Sequence, residues 1–314
     1  MPFVRDIVAT ELASLAAKGV FLGTSSWKYP GWRGVLYTDD RYIWRGRFAE
    51  SRFERMCLSE YAEVFKTVSV DAAYYQFPSA RSLDALTSQV PADFLFAFKV
   101  TDSITLKHFP NLPRFGQRAG QTNADFLNAD LFRDAFLEPC TPHRDKIGLL
   151  MFEFSRFQSA DFARGREFLE ALDGFLTQLP RDWPYGVEIR NRSFLQPEYF
   201  ALLARHGVAH VFNSWEAMPP VHEQLTIPGS QTTPQLRAAR FLLRPGRPYE
   251  TAVKMFKPYD RVKDVFPEGR KALVKIIREG RQAAGRTLVF VNNRFEGCAL
   301  ETIAEALALV KAGA

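Results

Sequence analysis

Residues 147–190 contain IGLLMFEF (147–154), DFARGREFLEALDGFLTQL (161–179) and YGVEIR (185–190). The first and last are apolar runs of strand length, and the middle segment carries apolar residues at helical spacing. Strand, helix, strand is the unit of a parallel sheet, because parallel neighbours need a long crossover. The same alternation continues in both directions. Further strand runs are VFLGTS (20–25), TVSVD (67–71), FLFAFKV (94–100), VAHVFNS (208–214), RFLLRP (240–245) and TLVFVNN (287–293). Helical patterns lie at 51–65, 197–207, 260–285 and 297–313. Eight strands alternating with helices predict an α/β fold, a single (β/α)8 TIM barrel, whose usual size is about 250 residues. A helix over 3–18 is an N-terminal addition, so the division is 1–19 for the extension and 20–314 for the barrel domain.

The chain has 314 residues, 46% of them hydrophobic, which is ample for a core. Its three cysteines, Cys57, Cys140 and Cys298, stand singly without a C-x-x-C pair. That spacing predicts neither a disulfide framework nor a zinc cage, and a reducing cytoplasm is the simplest location. Arg5, Asp6 and Glu11 interrupt any signal-peptide core, and no run of 18 apolar residues predicts membrane insertion. The formal charge of +6 favours anionic ligands, phosphates or nucleic acid, although the basic residues are spread without a dense run.

In a barrel, alternate residues of each strand face the surrounding helices and the others fill the interior. With Val187 and Ile189 outward, Glu188 and Arg190 point inward. Leu150, Phe152 and Phe154 outward turn Glu153 inward, Val68 and Val70 leave Asp71 inward, and Phe96 and Phe98 leave Lys99 inward. Strand seven offers Leu242 and Arg244 on one face, strand six ends at Asn213, and strand eight ends in Asn292 and Asn293. All of these lie at C-terminal strand ends, the face where barrel enzymes act. Buried charges must be paired or wetted, so the cluster is either a site or an ion network closing the barrel top.

GTSSWKYPGW (23–32) follows strand one. Its Trp27, Tyr29 and Trp32, with Thr24, Ser25 and Ser26 at the base and Tyr75 after strand two, suit a sugar ring or a base. A hydrophobic plug beneath a lid is the alternative. Two long connections, 101–123 and 215–237, lie on the same face and carry His108 and His222, candidates for proton transfer. His206 and His210 fall at a helix end and on an outward strand position, which predicts structural roles. Carboxylates beside Lys99 favour contact with an anion or hydroxyl over Schiff-base chemistry. NNRFEG (292–297) offers backbone N–H groups for a phosphate, while no P-loop or dinucleotide fingerprint is present. No metal-ligand set is evident, and no cofactor is identified.

These blocks resemble the YecE-like family, a bacterial and archaeal domain of unknown function described as related to sugar isomerases. GTSSWKYPGW, VSVDAAYYQFPS, FAFKVTDSITLKH, LLMFEF, VEIRNRSFL, HGVAHVFNS and VFVNNRFEG occur in family order across residues 20–311. The resemblance implies a TIM barrel and no established activity. This chain departs from the family pattern at Asp71, where the family commonly has Asn, and at Glu153, which replaces a glutamine. FLLRPG keeps Arg244 without the family's histidine, and residues 33–50 form a longer insertion.

The sequence therefore predicts an enzyme or degenerate enzyme of isomerase or hydrolase type, acting on a small sugar-like or phosphorylated compound. Glu188 and Lys99 are the catalytic candidates. Thr24, Ser26, Trp27, Tyr29, Trp32, Asp71, Tyr75, His108, Glu153, Arg190, Asn213, Arg244, Asn292 and Asn293 are the binding candidates. The alternative is a non-catalytic protein that binds nucleic acid or an anionic ligand.

Overall fold

The computed structural model describes residues 2–313. Eight parallel strands close into a barrel: β1 (Val20–Thr24), β2 (Thr67–Val70), β3 (Leu95–Lys99), β4 (Ile147–Phe154), β5 (Tyr185–Ile189), β6 (Ala209–Asn213), β7 (Leu236–Phe241) and β8 (Arg286–Val291). Each strand pairs with its chain neighbour, and β1 closes the ring against β8. This is the α/β barrel that the alternation predicts.

Seven of the strands lie within a residue or two of their apolar runs, and β7 is the exception. It spans Leu236–Phe241 and ends where the run at 240–245 begins. Arg237 and Arg240 make the segment read as polar, and its interior positions need only the small Ala238 between Leu236 and Arg240.

The longer helices are α1 (Arg5–Ala16), α2 (Glu50–Ala62), α3 (Ala80–Thr87), α4 (Gly165–Thr177), α5 (Pro197–His206), α6 (Tyr249–Phe256), α7 (Pro267–Gly280) and α8 (Ala299–Ala312), with a further helical stretch over 129–140 between β3 and β4. In α4, Phe168, Leu172, Phe175 and Leu176 recur on one face and are buried against the barrel. Pro197 opens α5, and Gly207, in the left-handed region at φ 66°, closes it. α7 starts at Pro267, seven residues inside the helical pattern at 260–285, because proline fits the first turn and not a helix interior. Among the described residues no helix is long and apolar enough to cross a membrane. The three cysteines are free and buried.

The outward residues of the strands join the helices in the main core. A separate inner cluster, including Ala97, Leu149, Met151, Val211, Ala238, Leu288 and Phe290, fills the barrel. Gly186 makes this layer possible, because a Cβ there would lie 2.8 Å from Leu149 Cδ1 and 2.9 Å from Val211 Cγ2. Above this apolar floor the interior turns polar.

Candidate functional site at the C-terminal mouth

Six charged side chains meet above the floor. Lys99, Glu153, Glu188 and Arg240 are the last or near-last inward residues of β3, β4, β5 and β7, while Asp71 and Arg190 directly follow β2 and β5. Lys99 Nζ donates to Glu153 Oε2 at 2.8 Å and lies 3.8 Å from Asp71 Oδ1. Arg190 reaches Glu153 Oε2 at 2.8 Å and donates from Nε to Glu188 Oε1 at 2.9 Å. Arg240 Nη1 donates to Glu188 Oε2 at 2.7 Å and Glu153 Oε2 at 3.0 Å, and its Nη2 is 3.7 Å from Asp71. Three carboxylates thus face three cations. Among the described residues no group of His, Cys, Asp and Glu is arranged to hold a metal ion.

Burial alone would raise the Glu153 carboxyl, but Arg190, Lys99 and Arg240 outweigh it and hold the group well below the usual carboxylate range. Burial likewise opposes the charge on Arg240, and Glu188, Glu153 and Asp71 overcome it. The strand alternation therefore located five of the six members. Arg240 was missed because β7 lies upstream of its apolar run. Arg244 shares its parity but lies beyond the strand end, and it turns outward to Asp264 at 3.4 Å.

Exposure separates the six. The Asp71 side chain is 37% exposed, Arg190 11% and Lys99 9%, whereas Glu153 is at 2% and Glu188 at 0%. Glu188, the leading acid–base candidate in the sequence, is therefore sealed beneath Arg190 and Arg240. Several buried polar atoms at this end of the barrel lack a hydrogen-bond partner: Asp71 Oδ1, Arg240 Nε, Asn213 Oδ1, Ser69 Oγ and Ser25 Oγ.

The aromatic loop divides in the same way. Trp27 and Trp32 are buried in the main core, so they are the hydrophobic plug and not a ligand platform. Trp32 stacks on Tyr37, and the Tyr37 hydroxyl donates to the Trp27 carbonyl. Tyr29 stays half-buried at the rim, edge-on to Tyr259 at 5.7 Å. Gly31 allows that contact, since a Cβ there would meet the Pro258 carbonyl at 2.4 Å. Burial pushes the Tyr29 phenol up to about 12 against the opposing pull of Arg294. Tyr75 is 62% exposed at the rim, while Tyr74 is buried with Lys99 Nζ 3.9 Å above its ring. Trp215, which the sequence reading did not single out, lies 3.7 Å from the Arg190 guanidinium. Its signal was its position just after β6.

The remaining candidates do not join the cluster. Thr24 spends its hydroxyl on the Ser26 carbonyl at 2.6 Å and on Tyr61 at 2.9 Å, and Ser26 is half-buried beside it. Asn213 Nδ2 donates to the Ile189 carbonyl at 3.1 Å. His108 pairs with Asp161 and joins the loops after β3 and β4. Asn292 Oδ1 accepts from the Arg294 N–H at 2.9 Å, and Asn293 Oδ1 from the Ala299 N–H at 2.7 Å. The Phe295 and Gly297 N–H groups bond the carbonyls of Asn292 and Asn293. The NNRFEG segment therefore uses these three amides internally, which removes them from a backbone cradle for a phosphate. His206 pairs with Asp173, and His210 packs outward against Tyr199, Phe200 and Phe212, as expected of structural histidines.

Three solved structures share this fold. The chain matches crystal structures of a DUF72 family protein from Enterococcus faecalis V583, at 3.10 Å resolution with 20% identity, TM-score 0.64 and coverage of 93% of this chain and 95% of that one. The same protein at 2.52 Å gives 19%, 0.61, 94% and 96%. A DUF72 family protein from Thermotoga maritima MSB8 gives 22%, 0.60, 93% and 99%. No curated protein matches the chain. The family profile described as "Protein of unknown function DUF72" matches residues 21–314, nearly the whole chain. With its barrel, its strand-end motifs and that match, the chain belongs to the DUF72, or YecE-like, family.

Proposed function

We propose that the C-terminal mouth binds a small polyhydroxylated or anionic compound and acts on it by acid–base chemistry. Asp71 is the proton acceptor, and Lys99 and Arg190 are the ligand contacts. The observation that carries this reading is the graded exposure of the charge cluster: Asp71 meets solvent, Lys99 and Arg190 lie at its edge, and Glu153 and Glu188 are sealed behind them. A general base must reach the proton it takes, so the sealed pair act as positioning groups. Proton transfer between a C–H or O–H and Asp71, with the developing oxyanion held by Lys99 and Arg190, suits an isomerase- or hydrolase-type step.

A second reading, a non-catalytic binder of nucleic acid or another anion, is favoured by the net charge of +6 and the aromatic rim. Thermal unfolding with sugars, sugar phosphates, nucleotides and short oligonucleotides, on wild type, Asp71→Asn and Lys99→Gln, separates the two. Ligand at about 100 times its dissociation constant adds roughly 2.7 kcal/mol. A small-molecule response weakened in both variants supports the mouth, and product formation lost in Asp71→Asn supports catalysis. A response only to oligonucleotides, steeply reduced by salt, supports the rival.

A further inference from the structure

The inner cluster is electrically balanced, so it supplies no net attraction for an anion. The rim does. Arg294, just beyond β8, is half-buried, and its guanidinium lies 4.7 Å from the Tyr249 ring centroid. Among the described residues it has no carboxylate partner. Several other arginines at this end are committed, Arg244 and Arg247 to Asp264, Arg270 to Glu296, and Arg114 to Asp102, while Arg156, Arg192 and Arg261 are exposed to solvent. Arg294 also stands on the ligand side. The Tyr249 ring that it covers lies 6.4 Å from Trp215, whose ring faces the Arg190 guanidinium at 3.7 Å, so a line of ring contacts joins Arg294 to the charge cluster. The nearby Arg294, Phe295 and Gly297 N–H groups are used internally, which leaves the side chain as the anion donor at this point of the rim.

We propose that Arg294 is the anion anchor of the mouth, and that the ligand is a small phosphate monoester of a polyhydroxylated compound. This rests on the reading of the mouth as a ligand site. The hydroxyl-bearing end reaches Asp71 and Lys99, while the phosphate lies against Arg294. A guanidinium presents paired donors to a phosphate. Stacking on Tyr249 pre-orients the guanidinium and leaves its edge free.

The test is calorimetric titration of wild type and Arg294→Gln with glucose, glucose 6-phosphate, ribose, ribose 5-phosphate, gluconate and inorganic phosphate. Wild type is expected to bind the sugar phosphates about tenfold more tightly than the parent sugars, the size of one charge-assisted contact. Arg294→Gln is expected to abolish that preference, keep the affinity for the parent sugars and unfold at the wild-type temperature. Gluconate binding as tightly as the phosphates overturns the phosphate assignment. An undiminished phosphate preference in Arg294→Gln, or equal binding of sugars and sugar phosphates to wild type, overturns the anchor and leaves the mouth reading standing. No response to any phosphate also overturns it, and the neutral sugars then decide the mouth reading separately.

Discussion

The carboxylate of Glu296 and those of Glu153 and Glu188 are equally hidden from solvent, yet they are built differently. Arg270 Nε lies 2.9 Å from both Glu296 oxygens, which also accept from the Phe266 N–H at 2.6 Å and the Thr302 hydroxyl at 2.8 Å. The cluster ties α7 to α8 and uses one cation for one carboxylate. At the mouth, three cations and three carboxylates share bonds, Asp71 is open to water, and buried polar atoms around them lack partners. A structural ion pair completes its own hydrogen bonds. The mouth retains unused capacity, and a ligand can fill it.

The largest test of this difference is Arg240→Met. Removing the cation that bridges Glu153 and Glu188 should cost about 3–5 kcal/mol in urea unfolding, because it strands buried charge. Glu296→Gln should cost about 1–3 kcal/mol, the loss of a charged hydrogen-bond acceptor. The two diverge in ligand response, which should change for Arg240→Met and stay at the wild-type value for Glu296→Gln. If both variants leave it intact, the mouth is a second structural clasp.

Acid titration sharpens the comparison at intermediate size. Burial holds His210 down to about 3, so between pH 6.5 and 3 the unfolded chain binds a proton that the native state refuses. Stability therefore falls as pH drops through that window, by at most about 1.4 kcal/mol per pH unit. Glu153 is depressed in the native state, so its contribution is fully present above the unfolded value of 4.5 and is lost only as pH falls towards its far lower native value. His210→Phe should flatten the stability curve between pH 6.5 and 5 and, below 4.5, leave only the part of the loss that the carboxylates, Glu153 among them, supply. An unchanged slope in that variant would assign the upper window to another group.

The smallest expected stability change is at Asp71. Asp71→Asn should shift unfolding by no more than about 0.5 kcal/mol and still weaken ligand-induced stabilisation. Arg244→Ala, outside the cluster and paired with Asp264, should shift unfolding as little and leave the ligand response unchanged. Equal ligand behaviour in these two variants would erase the distinction between mouth and periphery.

The sequence by itself determined the barrel and most of its polar mouth. Strand length and helical spacing are local properties, and alternation assigns each strand residue to one of two faces without knowledge of its neighbours. That logic placed Lys99, Asp71, Glu153, Glu188 and Arg190 together. Depth was beyond it. Whether an inward residue meets water depends on how far each strand extends past the next, which sealed Glu188 and left Asp71 open. The tertiary structure also decided that β7 ends before Arg244 and contributes Arg240 instead, because the small Ala238 fits an interior already filled from other strands. Contact across the chain separated aromatics that look alike in GTSSWKYPGW, with Trp27 and Trp32 in the core and Tyr29 at the rim. Burial is a property of the assembled surface, and no single segment carries it.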